Sequence, residues 1–299
     1  MARNARSLSG QVAVVTGGGR GIGAALTRAL VLQGMRVAVV DLDADAAGAV
    51  AAELGEGAIA LSLDVTDRPA FTALLDEVER RLGPIDVLVN NAGIMPLGPF
   101  ELEAEATVIR QLELNLHAVI HGTREAVLRM RPRRRGHIVN VASSAGRTGF
   151  PGGATYSACK FGVVGLSEAV RAELRGTGVE LTVVLPGLVH TELAAGVPDA
   201  RSVRRVTPEE VAEATVQALR YPRFQVYVPK TIGPLVVLGA VLPWRVRDIV
   251  ARLLRVDSLL MRADPQARMA YEARAAASAP AAETVLDAGP EAVGHPTVI

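Results

Sequence analysis

From Val12 onward, short runs of β-branched residues alternate with longer stretches rich in alanine and leucine. That alternation is how a parallel sheet with crossover helices reads in one dimension, and it restricts the chain more than any other feature. The spacing predicts strands at Val12 to Thr16, Arg36 to Val40, Ala58 to Leu61, Val87 to Asn90, His137 to Val141, Leu181 to Leu185 and Gln225 to Val228. These runs are nearly continuously apolar, as expected of strands covered by helices on both faces. Helix starts are marked as well: Asp67 precedes Arg68-Pro69 and Thr207 precedes Pro208. In each case a capping side chain is followed by proline in the first turn, where its missing N–H costs nothing. The expected class is α/β, a central parallel sheet of seven strands flanked by helices, with a helical C-terminal extension.

Composition limits what such a chain does. Of 299 residues, 49% are hydrophobic and 21% charged, enough for a large core. Lys+Arg of 32 against Asp+Glu of 31 leaves a net charge of +1 with no long basic block, so nucleic acid is not an expected partner. The single cysteine, Cys159, excludes an internal disulfide. The first eleven residues lack the apolar core of a signal peptide, and the weakly polar run Thr231 to Trp244 is shorter than the roughly 20 residues a membrane span needs. A cytoplasmic location is expected.

Three regions follow: a catalytic domain over 1–230, an amphipathic helical extension over 231–262 and a disordered tail over 263–299. Within the extension, residues 244–262 place Val246, Ile249, Val250, Leu253 and Leu260 on one helical stripe among arginines. Docking of that stripe on the protein itself or on a sister subunit is the preferred expectation; peripheral contact with an anionic membrane is the alternative.

The first predicted strand runs into Thr16-Gly17-Gly18-Gly19-Arg20-Gly21-Ile22-Gly23. Glycines here allow a sharp turn and close approach to a pyrophosphate, while the following helix aims N–H groups and its positive end at the anion. Gly17, Gly21 and Gly23 are the candidate positions, in a GxxxGxG spacing. Asp41 ends the second strand, where a carboxylate can accept both adenosine-ribose hydroxyls and repel a 2′-phosphate, favouring NAD over NADP. Arg20 argues for NADP, since a guanidinium could pair with that phosphate. Asp64-Val65, after the third strand, would place a carboxylate near the adenine amino group or simply close a turn.

Tyr156 and Lys160 lie four residues apart in a helix-like stretch, on one face. A phenol with a pKa of about 10 is a poor base, but an ammonium nearby stabilises the phenolate. No His, Asp or Glu cluster has metal spacing; His117 and His121 lack a third ligand.

In order, TGGGRGIG (16–23), NNAG (90–93), Asn115, Ser143, YSACK (156–160) and PGLVHT (186–191) resemble the short-chain dehydrogenase/reductase family, over roughly residues 10–230. The resemblance implies a doubly wound, Rossmann-type sheet with strand order 3-2-1-4-5-6-7 and hydride transfer between a nicotinamide and an alcohol or ketone. It implies Tyr156 as the acid/base, and Lys160 as the residue that depresses the tyrosine pKa and holds the nicotinamide ribose. Ser143 would hydrogen-bond the reacting oxygen, and Asn115 would hold a water of the proton relay. Asn91, Ala92 and Gly93 would touch the adenine ribose through the backbone, and Ile22 lies within the loop. Pro186, Gly187, Val189 and Thr191 would border the nicotinamide, with a substrate lid over His190 to Arg205. A homodimer or homotetramer is also implied. With Met95, Phe150, Pro151 and Leu188 expected as pocket walls, the expected substrate is an apolar secondary alcohol or ketone: terpenoid, steroid-like or long acyl. The alternatives are an NADP-dependent ketone or acyl reductase, a non-catalytic nucleotide-binding sensor or scaffold, and a peripheral membrane protein.

Overall fold

The computed structural model describes residues 5–199, 204–253 and 259–277. Strands β1 (Val12–Thr16), β2 (Arg36–Asp41), β3 (Ala58–Ser62), β4 (Ile85–Asn90), β5 (Gly136–Val141), β6 (Val179–Pro186) and β7 (Gln225–Val228) form one sheet. Its order is β3-β2-β1-β4-β5-β6-β7 and every neighbouring pair is parallel. All seven expected strands are present, lengthened by up to two residues at an end.

Helices α1 (Gly21–Leu32), α2 (Ala44–Leu54) and α3 (Arg68–Leu82) follow the first three strands. Next come α4 (Glu105–Leu112), a π-helical turn over Glu113–His117, α5 (Ala118–Met130), α6 (Ala154–Glu173) and α7 (Pro208–Arg220). Successive residues of β1 divide between two cores, as the pleat requires. Ala13 and Val15 pack with Leu26 and Leu30 of α1 and Val211 of α7. Val12 and Val14 pack with Phe71 and Leu75 of α3 and Met130 of α5. The caps form as their residues predict: Asp67 accepts from Ala70 N at 3.0 Å, and Thr207 and Glu210 make a reciprocal capping box.

Beyond β7 lie α8 (Ile232–Val241), α9 (Trp244–Leu253), a 3-10 turn over Leu260–Arg262 and α10 (Pro265–Ala277). Two expectations are corrected. The helix placed over 244–262 is α9 followed by a separate turn, with 254–258 outside the described residues. Within its stripe Val246 and Ile249 are exposed, while Leu260 docks on the main domain at Gly153. Second, 265–277 is a helix where a disordered tail was expected, because Arg268 and Ala275 are buried against the main domain and tertiary contact overrides composition. Residues 278–299 of that tail lie outside the described residues. Among the described residues no helix is long and apolar enough to cross a membrane.

His137 of β5 is 5% exposed, with its Nε2 2.8 Å from Thr182 Oγ1. Burial first, then the charge of Arg6, pushes its pKa down to about 3 from 6.5. The unfolded chain therefore binds the extra proton first: stability is full above pH 6.5 and falls as pH drops toward 3. At about 1.4 kcal/mol per unit the loss is on the order of 5 kcal/mol. We expect His137→Gln to flatten the urea midpoint over that window; an unchanged pH slope would overturn the assignment.

Candidate active site

The strand order reverses between β1 and β4, so the carboxyl ends of these strands open a crevice at the switch point where open α/β sheets bind ligands. Thr16, the last residue of β1, ties the crevice together. Its hydroxyl donates to Val89 O at 3.2 Å and accepts from Asn91 N and Ala92 N at 3.0 and 3.1 Å. The Asn91 amide returns to Thr16 O and Gly17 O at 2.9 and 3.1 Å. NNAG thus props the glycine loop.

The loop is tight where the spacing requires it. Gly17 has φ +63°, and a Cβ there would sit 2.9 Å from Ala92 Cα. A Cβ on Gly23 would meet the Gly17 carbonyl oxygen and lie 2.7 Å from Asn91 Nδ2. Gly21, also at positive φ, faces the Thr191 methyl group. Arg20 caps α1 in extended backbone with no side-chain cap bond, so the first N–H groups of the helix, on Gly21, Ile22 and Gly23, lack a capping acceptor. An open helix start behind a Cβ-free loop fits a pyrophosphate.

At the end of β2, the two Asp41 oxygens accept from Gly19 N at 2.9 Å and Asp43 N at 3.1 Å. Arg20 pairs with Asp43, whose carboxylate also caps α2. The Ala46 N–H first and Arg20 second hold the Asp43 carboxyl below the usual range. The guanidinium is thus already matched, beside a second carboxylate. Asp64 accepts from Thr66 N and Oγ1 at 2.9 and 2.7 Å and pairs with the buried Arg110 at 3.2 Å. Its turn-closing role is explicit, and its neighbour Val65 is buried in the core. Arg110 was not anticipated; nothing in its local sequence marks it.

Below the loop runs a buried polar ladder. Asn90 donates to Asn140 at 2.8 Å and Asn140 to Ser167 at 3.0 Å. Asn115 sits in the π turn, fully buried, and spends its side chain on one residue: Oδ1 accepts from Ile94 N and Nδ2 donates to Ile94 O, both at 2.9 Å. A Cβ on Gly93 would lie 2.7 Å from Asn115 Oδ1 and 3.7 Å from Lys160 Nζ, so NNAG closes on the polar set as well.

Helix α6 carries Tyr156 and Lys160 on its buried face, at 7% and 4% exposure. The Lys160 Nζ is 5.6 Å from the Tyr156 ring centroid and donates to Val141 O at 3.0 Å. Burial pushes the phenol up to about 12, opposed by a side-chain hydrogen bond with Ser143. Burial pushes the Lys160 ammonium down to about 8. In the free chain, then, desolvation outweighs the lowering of the phenol pKa expected from the ammonium, and Tyr156 is protonated at neutral pH. Ser143, two residues past β5, caps a 3-10 turn, accepting from Ala145 N at 3.1 Å. Cys159 beside Lys160 is fully buried, its thiol pushed up to about 11 by burial.

Past β6, Gly187 N donates to Val228 O at 2.8 Å, which holds Pro186-Gly187 beside β7. Val189 bridges Val206, fixing the base of the segment that contains Thr191. Met95, Ala145 and Tyr156 form a small apolar cluster with Leu97, Phe150 and Leu193. Two residues that close this cluster from α10, Arg268 and Tyr271, were not anticipated. Among the described residues no three His, Cys, Asp or Glu side chains gather as a metal ion needs.

A family model described as short chain dehydrogenase matches residues 11–202. The chain is 40% identical over 192 residues to a 3-alpha-(or 20-beta)-hydroxysteroid dehydrogenase of Mycobacterium tuberculosis, covering 64% of this chain and 74% of that one. It is 37% identical over 222 residues to a D-threitol dehydrogenase of Mycolicibacterium smegmatis, covering 70% and 85%. Among solved structures, a short chain dehydrogenase/reductase from Burkholderia phymatum in complex with NAD superposes with TM-score 0.73 at 27% identity, covering 79% of this chain and 94% of that one. With the sheet order, the glycine loop and the Ser143, Tyr156 and Lys160 set, these matches place the chain in the short-chain dehydrogenase/reductase family, oxidoreductases that act on CH–OH groups.

Proposed function

We propose that this protein transfers hydride between NAD(H) and an apolar secondary alcohol or its ketone, with Tyr156 moving the proton. The convergence of Ser143, Tyr156 and Lys160, with the Lys160 ammonium approaching Gly93 of the NNAG stretch that props the glycine loop, carries this reading. Bound dinucleotide supplies the hydride acceptor or donor. The N–H groups of Gly21, Ile22 and Gly23 hold its pyrophosphate behind Gly17. Asp41 accepts from the adenosine ribose, Asp64 and Val65 border the adenine, and the backbone of Asn91, Ala92 and Gly93 lines the strand end. Lys160 holds the nicotinamide ribose, while Pro186, Gly187, Val189 and Thr191 border the carboxamide. Tyr156 takes the hydroxyl proton in oxidation and returns it to the carbonyl oxygen in reduction, with Ser143 hydrogen-bonded to that oxygen.

Two observations refine the reading. Asp41 and Asp43 outnumber Arg20, whose charge Asp43 already matches, and a 2′-phosphate would meet net negative charge; this supports NAD. The walls around Tyr156 are Met95, Leu97, Phe150 and Leu193, which favours an apolar substrate of the kind the hydroxysteroid dehydrogenase relative is named for over a polyol.

A panel of alcohols and ketones followed by NADH absorbance tests it. We expect turnover on apolar members with NAD, and Asp41→Ala to raise the NAD KM by about tenfold or more, the scale of a lost charge-assisted hydrogen bond, with the NADP KM nearly unchanged. Equal weakening of both would show that the carboxylate only holds Gly19 and Asp43, and a wild-type preference for NADP would overturn the cofactor assignment.

A further inference from the structure

The C-terminal segment grips the substrate side of the site through main-chain atoms. Arg268 of α10 is 3% exposed, and its five N–H donors are spent in one place. Nη2 donates to Met95 O at 2.6 Å, and Nη1 reaches Leu193 O and Ala195 O, both at 3.0 Å. Nε and Nη2 pair with Glu272 at 2.9 and 2.8 Å. The Tyr271 hydroxyl accepts from Met95 N at 2.7 Å, and the Arg268 guanidinium lies 5.0 Å from its ring centroid. Asp264 N donates to Gly196 O at 2.8 Å, and Arg274 pairs with Glu192 at 2.6 Å. Just before α10, Met261 and Leu260 pack on Gly152 and Gly153, three and two residues short of Thr155 at the start of the catalytic face.

Met95 and Leu193 are two of the residues that wall in Tyr156. Met95 follows Ile94, whose N–H and C=O are both held by Asn115. Consecutive residues are therefore clamped from opposite sides: Ile94 by the π turn, and Met95 by α10. We propose that α10 is a positioning element of the substrate site, in which Arg268 and Tyr271 lock Met95 and the 192–196 segment together over Tyr156 and so set which apolar substrates fit. Arginine suits this task because a planar fork bridges three carbonyls on two segments, which a lysine point charge cannot do. The hydrogen bonds of Arg268 and Tyr271 go to Met95, Leu193 and Ala195 rather than to residues 16–23, so the larger effect falls on substrate rather than on cofactor. The role in turnover rests on the oxidoreductase reading above; the clamp itself does not.

The test uses Arg268→Met, Arg268→Lys and Tyr271→Phe in the full chain. We expect Arg268→Met to raise the KM of a bulky apolar alcohol by about tenfold or more, with kcat and NADH affinity within about threefold, and to affect a small alcohol less. Arg268→Lys should recover only part of the loss. Tyr271→Phe deletes a single acceptor, preserves the ring and keeps the proposal testable if Arg268→Met fails to fold; it should raise KM about threefold and speed hydrogen exchange of the Met95 amide at least about tenfold. Unchanged KM in the folded variants, or a parallel loss of NADH affinity, would overturn the proposal. Should the wild-type protein turn over no alcohol or ketone, the functional reading fails, while exchange at Met95 and 192–196 still decides whether α10 is the clamp.

Discussion

Tyr156→Phe is expected to lower kcat by about three orders of magnitude, within the 10²–10⁴ that a positioned acid/base contributes, while NADH affinity stays within about threefold. The substitution removes one oxygen and keeps the ring, so the contacts with Met95 and Ala145 survive. What is lost is the hydrogen bond with Ser143 and the proton carried at that atom. The pH dependence distinguishes this from a packing defect. Burial holds the phenol protonated, with a pKa of about 12 in the free chain, so it is ready to donate to a carbonyl, whereas oxidation must first remove its proton. Wild-type oxidation should therefore rise with pH, and the residual rate of the variant should not. Steady-state NADH absorbance between pH 6 and 10, together with a fluorescence titration of NADH, measures both. A variant retaining more than about a tenth of the wild-type rate would remove Tyr156 from the proton path.

The sheet was legible because strands buried on both faces leave continuous apolar runs, and no solvated side blurs the signal. The glycine loop was legible because much of its constraint is local: Gly17 and Gly23, six residues apart between a strand end and a helix start, meet each other directly. Asn115 was found through resemblance rather than chemistry, since a lone amide in a helical stretch carries no periodic mark. Only the fold reveals that its side chain is committed to Ile94, 21 residues away. Arg268 and Tyr271 were not legible at all. A composition rule averages over a window, and the alanine-rich window around them reads as a tail. Two side chains reaching Met95, 173 and 176 positions earlier, decide otherwise. Arg20 shows the opposite failure. Its charge was visible, but its partner Asp43 lies 23 residues on, beyond α1 and β2, so its availability to a phosphate could not be judged.

Gly23→Ala carries the second large effect, which falls on the cofactor rather than on the substrate. The added methyl group would press on the Gly17 carbonyl oxygen and on Asn91 Nδ2. Neither yields cheaply: Gly17 is held at φ +63° against Ala92, and the Asn91 amide is already bonded to Thr16 O and Gly17 O. The start of α1 must move, which displaces the N–H groups that meet the pyrophosphate. We expect NADH affinity to fall by about a hundredfold or more and stability by about 1–3 kcal/mol, the usual cost of overpacking. Gly48 in α2 supplies the control. A Cβ there meets nothing within 4 Å, so Gly48→Ala should leave NADH binding unchanged and raise stability by about 0.5–1 kcal/mol through helix propensity. Fluorescence titration and thermal melts of the two variants together separate a tight loop from a generic intolerance of glycine substitution. If Gly23→Ala binds NADH as the wild type does, the loop is not where the dinucleotide sits.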